Sequence, residues 1–304
     1  MNGQKILYDM LAYSAPIIWC VLGGNFAHSA NVLNIALEGM MLVGAFVSVL
    51  VVLFTGNVWL GILVGVLATM VFGLVFSYLG VTRRGNVIIA GLAINLLAAS
   101  VAAFVLKAMD LPNLNANSMV DVAGMKIHLP LIKDIPFLGP VLSGHPPLTY
   151  LAFLGIAVMG IVMYRTRFGV YVRVVGENED AALSVGINGN RIKYLAVLIG
   201  AVCCALAGAN LALEKMALFT NGMTAGIGFI AIAAIFCGRG RPGLTSIYAI
   251  VFGLAQSLAI NLNLSAGPIS GLFNTIPYFM IIGILTVVSI LQHKDVRMRG
   301  LIDG

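Results

Sequence analysis

A single carboxylate inside a long uncharged run is the side chain with the clearest chemical potential in this sequence. Glu38 lies in VLNIALEGMMLVGAF and is the acid that the sequence embeds in apolar surroundings. At helical spacing, Asn31, Asn34 and Glu38 would share one helix face. An ionised carboxyl group is costly in apolar surroundings and needs polar company. Glu38 therefore either faces a polar cavity that admits a solute, or it caps a helix end or pairs at an interface.

The largest polar stretch, residues 165–193, could contact a partner protein. It carries five cations and three acids: Arg165, Arg167, Arg173, Arg191, Lys193, Glu177, Glu179 and Asp180. Within it, Asn178 can cap a short helix with acids in its first turn, and both features favour a helix N-terminus. Gly186 would end this helix. We interpret the helix as an exposed docking element.

The remaining polar residues offer no catalytic or metal-binding pattern. The four cysteines lie in apolar stretches without metal-type spacing, and no phosphate-binding loop or nucleophile motif is present. Asn86, Asn95 and Asn210 lie in or beside apolar runs and are expected to form hydrogen bonds between helices. We therefore expect no enzyme activity, no metal and no cofactor. The net charge of +6 comes without a basic stripe with interleaved aromatics, so it does not indicate nucleic acid.

The composition identifies the elements that must position these residues. Hydrophobic residues make up 60%, charged residues 9%, and the mean hydropathy is +1.03, which excludes an ordinary soluble domain. We predict one all-α transmembrane domain over residues 1–304, with about 8–10 spans, some of them broken or half-length. Apolar runs place these spans at residues 11–26, 39–82 (two spans), 85–106, 148–164, 194–213, 227–237 (a half-span), 243–262 and 275–291.

The distribution of cations predicts the orientation. Twelve of the seventeen Lys and Arg residues fall at positions 83–84, 165–193, 239–241 and 294–299, which we place in the cytoplasm. Residues 107–147 are then an external loop, residues 165–193 a cytoplasmic loop, and the C-terminus is cytoplasmic. Three full spans before Arg83 would put the N-terminus outside. The alternative is that one early segment, residues 34–44, does not fully cross.

At this point three stretches resemble a known family. VLNIALEGMMLVGAF is similar to the signature of the membrane permeases of bacterial nucleoside-type ABC importers, which belong to a larger family serving simple sugars and branched-chain amino acids. VVGENEDAALSVGINGNRIKYLAVLIGAVCCALAGA resembles that family's cytoplasmic coupling segment and the following helix. GIGFIAIAAIFCGRGRPGLTSIYAIVFGLAQSL resembles its short span and the turn after it. These stretches cover about half of the chain.

The resemblance implies a bacterial inner-membrane permease subunit that moves nucleosides or a related sugar-containing solute. It implies three partners: an ABC ATP-binding subunit, which would hydrolyse ATP, a second permease subunit (a paralogue or a second copy), and an extracytoplasmic substrate-binding protein. The pathway residues that it implies are Asn34, Glu38, Gly39 and Phe229. The ATPase-coupling residues that it implies are Gly176, Glu177, Asn178, Glu179, Ala181, Ala182, Gly186 and Ile187.

Two alternatives to this function remain. A secondary, ion-coupled transporter would act without an ATPase, but it would normally carry more ionisable residues within its spans. A membrane-embedded enzyme would need a cluster of His, Asp or Glu near a membrane face, and the predicted spans offer none.

Overall fold

The described part of the chain is a bundle of α-helices with one very small sheet. The computed structural model describes residues 3–128, 138–265, 270–273 and 275–302, so residues 129–137 of the predicted external loop lie outside it. The elements are α1 (Gly3–Ser29), α2 (Leu37–Thr55), α3 (Val58–Ser77, continued by a π-helical turn over Tyr78–Thr82), α4 (Val87–Ala108), β1 (Asn113–Asn115), α5 (Leu138–Leu142), α6 (Pro147–Arg165), α7 (Arg167–Glu177), α8 (Glu179–Ser184), α9 (Gly189–Ala209, continued by a π-helical turn over Asn210–Glu214), β2 (Leu218–Thr220), α10 (Ile227–Cys237), α11 (Pro242–Ser265), α12 (Ser270–Phe273) and α13 (Ile276–Ile302).

The predicted all-α membrane fold is confirmed. Among the described residues, seven helices are long and apolar enough to cross a membrane, and two shorter apolar helices accompany them. The half-span predicted at residues 227–237 is α10, which has only 11 residues. A helix of that length reaches about 16 Å, roughly half of the hydrocarbon thickness of a bilayer.

The core of the bundle is built from α1, α2 and α9. In the most apolar windows of α2 and α9, 67% of residues are buried, against 22% in α4. Small residues bring the core helices together: Gly23 packs against Gly200, and Gly44 packs against the backbone of Ala205. Because α3, α4 and α6 bury only one side, their other side is left for lipid.

Loop contacts identify the two ends of the bundle. At one end, here called the polar end, Ser29 at the C-terminus of α1 packs against Gly176 in the polar stretch. At the opposite end, here called the loop end, the Tyr8 hydroxyl near the start of α1 donates to the carbonyl of Gly144 at 2.7 Å. The antiparallel pair β1–β2 also lies at the loop end. The helices α1, α2 and α3 alternate in direction, so α2 runs towards the loop end, and its Phe46 packs on Phe219 of β2.

The chain crosses the bundle three times before it reaches the basic turn at Arg84. Arg84 lines a cleft with Asp180 at the polar end, so the N-terminus lies at the loop end. The chain thus passes from one end of the bundle to the other three times before Arg84, and the helical part of the second pass begins only at Leu37.

The prediction that Asn31, Asn34 and Glu38 share one helix face is wrong. Asn31 has a left-handed backbone with φ +58°, residues 32–34 have no helical structure, and α2 begins only at Leu37. A residue with positive φ interrupts a right-handed helix, and so the three side chains do not follow helical periodicity.

Candidate functional site

Residues 30–36 form a non-helical linker that leads into the bundle. Asn34 in this linker is 4% exposed, and its Oδ1 accepts a hydrogen bond from the backbone N–H of Ala36 at 3.0 Å. This Asx turn satisfies a buried donor directly before α2 begins. The start of α2 is thus stabilised below the surface of the bundle.

The Glu38 carboxylate joins the starts of two helices. It lies in the first turn of α2, and its two oxygens accept hydrogen bonds from the backbone N–H groups of Gly226 and Gly228, at 2.9 and 2.6 Å. These N–H groups belong to the start of α10, where unpaired donors and the helix dipole favour a negative charge. Glu38 therefore caps α10 from a neighbouring helix, one of the alternatives stated for it from sequence.

Close packing at this junction requires glycine. A Cβ on Gly228 would lie 2.5 Å from the backbone nitrogen of Glu38, and Gly226 has φ +79°. The first position has no room for a side chain, and the second has a backbone that favours glycine. Because α10 ends at the polar end, where Gly240 packs on His28, the junction lies about half-way through the bundle.

Asn95 on α4 holds the same junction from a third side. Its Nδ2 donates to the carbonyl of Ile35 at 3.0 Å, and its Oδ1 accepts from the N–H of Gly39 at 2.8 Å. The sequence predicted a hydrogen bond between helices here, which is confirmed, but it did not place Asn95 among the pathway residues. The signal available was a lone amide inside the apolar run of α4.

The structure brings the four predicted pathway residues to one region. Glu38, Gly39 and Phe229 lie at the facing starts of α2 and α10, and Asn34 lies in the linker just before α2. Phe229 is 45% exposed, whereas Asn34 and Gly39 are buried. Phe229 is thus the member of the set most available to a partner, a lipid or a solute.

The short docking helix predicted in the polar stretch is α8. Its cap is confirmed, because the Asn178 side chain accepts from the N–H of Ala181 at 3.0 Å. Its end is also confirmed: Gly186 has φ +84°, and the N–H of Ile187 donates back to the carbonyl of Ala182 at 2.9 Å. Ala182 is fully buried and anchors the helix to the bundle.

Two large apolar side chains are exposed on this segment. Leu183 and Val185 are 66% and 71% exposed. Glu177, Asn178 and Ala181 are exposed, while Gly176 packs on Ser29. The Glu179 carboxylate is held by the ammonium of Lys193 at 2.7 Å. Exposed apolar side chains that lie close together can contribute to a protein–protein contact.

A cleft of about 610 Å³ separates α8 from the basic turn between α3 and α4. Asp180 and Leu183 of α8 form one wall, and Arg84 and Val87 form another. Asn31 of the linker also lines the cleft. The helix α8 therefore faces, across open space, both the start of α4 and the segment that leads into α2.

A second buried carboxylate lies at the loop end. Glu214 is 4% exposed; its oxygens accept from the N–H of Leu148, at 3.0 Å, and from the amide of Asn210, at 2.8 Å. Asn210 also donates to Thr149. Glu214 thus anchors the end of α9 to the start of α6, and this role depends on tertiary contacts that periodicity does not reveal.

Lys215 has an unusual arrangement, because its stem is partly exposed while its Nζ is buried without a hydrogen-bond partner among the described residues. The Nζ lies 4.7 Å from the ring centre of Tyr13. Burial lowers the pKa of Lys215 to about 7, against the smaller opposing effects of nearby carboxylates. Burial likewise lowers the pKa of His145, which stacks on Tyr8.

The polar contacts described above fix where helices start and end. In residues 3–128, 138–265, 270–273 and 275–302, no group of three or more His, Cys, Asp or Glu side chains could hold a metal ion. Cys20, Cys204 and Cys237 are buried and Cys203 is half-buried, as expected for small core residues.

Comparisons with known proteins agree with this architecture. Residues 6–287 match the family described as branched-chain amino acid transport system, permease component. A guanosine ABC transporter permease protein of Bacillus subtilis, NupQ, is 34% identical over 92% of this chain and 89% of its own length. A nucleoside ABC transporter permease protein of Lactococcus lactis, NupC, is 32% identical over 84% of this chain and 82% of its own.

A solved structure supports the fold at lower identity. An ABC transporter assigned to the metal-chelate type, in an inward-facing conformation, matches with a TM-score of 0.54 and 14% identity, covering 93% of this chain and 84% of that chain. A glucose ABC transporter permease of Haloferax volcanii is 23% identical over 94% of this chain and 77% of its own length. With its long apolar helices and a family match across almost its whole length, the chain is a multi-pass membrane protein and belongs to the permease components of the branched-chain amino acid transport system family.

Proposed function

We propose that this chain is the permease subunit of an ATP-driven importer and that its substrates are nucleosides. The observation that carries the proposal is the near full-length similarity to two permeases named for guanosine and nucleosides. The glucose permease relative favours simple sugars as the second candidate class. Both classes present hydroxyl groups that polar side chains and backbone groups can bind.

The pathway is proposed to pass the junction of α2 and α10. Asn34, Glu38, Gly39 and Phe229 are the residues assigned to it. Support comes from two helices that start inside the bundle at about half its depth, an arrangement that is typical of transporter binding sites. The exposed ring of Phe229 offers a surface on which a nucleobase could stack.

Energy coupling is proposed to occur at α8. The segment from Gly176 to Ile187 would dock into an ATP-binding subunit through Leu183 and Val185, whose exposure supports the assignment. ATP hydrolysis belongs to that separate subunit. A second permease subunit and an extracytoplasmic substrate-binding protein complete the proposed assembly, and they follow from the kind of transporter rather than from a contact within this chain.

The orientation is proposed from charge. The polar end faces the cytoplasm of a bacterial cell and the loop end faces outward, because Lys and Arg concentrate at the polar end. The N-terminus is then external and the C-terminal tail cytoplasmic. A reporter fused to each terminus, active on one side of the membrane only, would check this assignment.

The experiment that tests the function is uptake of radiolabelled guanosine into liposomes that contain the chain with its ATP-binding and permease partners. We expect concentrative uptake that requires ATP, and none with the chain alone. Uptake by the chain alone under an ion gradient would contradict the proposal and support a secondary transporter. Labelled glucose, tested in parallel, decides between the two substrate classes.

Docking is tested by Ala182→Pro, which removes the hydrogen bond from Ala182 N–H to the Asn178 carbonyl and disrupts the buried base of α8. We expect loss of co-purification with the ATP-binding subunit while the membrane part stays folded. If Ala182→Pro protein still co-purifies and transports normally, α8 is not the docking element.

A further inference from the structure

Asn95 is the one amide among the described α4 residues that bonds both sides of the entry into α2. It donates to the Ile35 carbonyl and accepts from the Gly39 N–H, so one side chain spans the last part of the linker and the first turn of α2. An amide side chain donates through its nitrogen and accepts through its oxygen without carrying a charge. The contact is also tight, because a Cβ on Gly39 would lie 2.7 Å from the Asn95 Cα.

The helix that carries Asn95 is peripheral. Leu92 and Leu96, on either side of it, are 46% and 70% exposed. The inner strip of α4 packs on the same segment as Asn95 does, since a Cβ on Gly91 would lie 2.9 Å from the Cβ of Ile35. A helix held on one side only can tilt at a lower energetic cost than a helix of the close-packed core.

The other end of α4 faces the docking helix. Val87, at the start of α4, lines the cleft of about 610 Å³ together with Asp180 and Leu183 of α8. Asn31, at the start of the linker, lines it too. The cleft thus adjoins both α4 and the linker before α2, and Asn95, eight residues after Val87, joins these two segments. A change in the width of the cleft would therefore displace α4 relative to the linker or move both together.

We infer that Asn95 is a positioning residue that transmits movement of the polar end of α4 to the start of α2. When the cleft changes width, α4 tilts, and the Asn95 amide moves Ile35 and Gly39 with it. Glu38 lies between these two residues along the chain and holds α10, so both helix starts shift as a unit. This inference rests on the proposed function, because it supplies the link between ATPase docking and the pathway.

The first experiment compares uptake with ATP hydrolysis in the reconstituted complex. Asn95→Leu preserves the size of the side chain but removes both hydrogen bonds, and we expect uptake per ATP hydrolysed to fall at least about tenfold. Asn95→Asp keeps an acceptor for Gly39 N–H and should be intermediate. Leu96→Ala, on the exposed side of the same helix, is the matched control. An unchanged ratio in correctly assembled Asn95→Leu complex would overturn the inference.

The second experiment needs no transport and uses the purified chain alone. Arg84→Cys and Asp180→Cys place thiols on the two walls of the cleft, and a short bifunctional maleimide then fixes its width. Hydrogen–deuterium exchange is measured over residues 35–41, with and without the cross-linker. In the otherwise unchanged chain we expect fixing the cleft to change exchange there by about twofold or more.

With Asn95→Leu, exchange over residues 35–41 should be faster at the outset but should no longer respond to the cross-linker. A mere loss of stability would raise exchange and leave the response in place. An equal response in both proteins, or no response in the parent, would contradict the inference. If the parent complex imports no nucleoside while the response still depends on Asn95, the proposed function fails and the link through Asn95 stands.

Discussion

Replacing Glu38 by glutamine gives the sharpest test of the junction between α2 and α10. The carboxylate accepts from Gly226 and Gly228. Glutamine keeps one acceptor oxygen and turns the other atom into a donor that faces an N–H group. One buried N–H therefore loses its partner, which costs about 1–3 kcal/mol. The loss of charge at a helix N-terminus adds up to about 1 kcal/mol.

A loss of this size should lower the thermal unfolding midpoint of the purified chain by about 5 °C. The matched control is Glu214→Gln, since Glu214 also accepts from a backbone N–H and an amide while lying at the loop end. We expect both variants to lose stability but only Glu38→Gln to lose uptake per folded molecule.

Two results would refute this reasoning in different places. A Glu38→Gln protein with the parental unfolding midpoint would mean that the two short hydrogen bonds contribute nothing to stability. A protein that is destabilised but transports guanosine at the parental rate would keep Glu38 as a cap and remove it from the proposed pathway. Normal stability with loss of uptake would favour direct contact with substrate instead.

Three further changes test other parts of the molecule. Lys215→Met should raise the unfolding midpoint at pH 7, because the Lys215 side chain keeps its proton in the unfolded chain and loses it near pH 7 in the folded chain. The gain in the free energy of unfolding should shrink towards pH 10, by at most about 1.4 kcal/mol per pH unit. An equal gain at all pH values would contradict the assignment to charge burial. Gly228→Ala should destabilise the chain, because its Cβ would meet the backbone of Glu38, as thermal unfolding would reveal; an unchanged midpoint would disprove the close packing. Leu183→Ser should weaken co-purification with the ATP-binding subunit, while Ser184→Ala, next to it, should not; equal binding of both would exclude Leu183 from the contact.

Local rules were enough for features that depend on a few neighbouring residues. The Asn178 cap, the end at Gly186 and the half-length of α10 all follow from short-range chemistry, and each is present in the structure. The apolar runs likewise predicted the long helices, because the thickness of the bilayer's hydrocarbon core sets the number of residues in a span.

Features that depend on distant contacts were not predictable in the same way. Asn31 adopts a left-handed backbone that ends the helical periodicity assumed for Glu38, and one sequence gives no direct sign of it. Glu214 directly follows the span predicted at residues 194–213, yet it is buried, because α6 offers it an N–H group. Asn95 could be recognised as a polar residue in a span, but its two partners lie about sixty residues earlier in the chain.

The pairing of Glu38 with the start of α10 has a consequence for ion leakage. A bare carboxylate half-way through a membrane would attract cations and lower the barrier to their passage. Here two backbone donors and a helix dipole balance much of that charge. A passage beside such a balanced group can offer hydrogen bonds to an uncharged solute while attracting sodium ions and protons only weakly. The cap would therefore help to preserve the membrane potential of the cell during import.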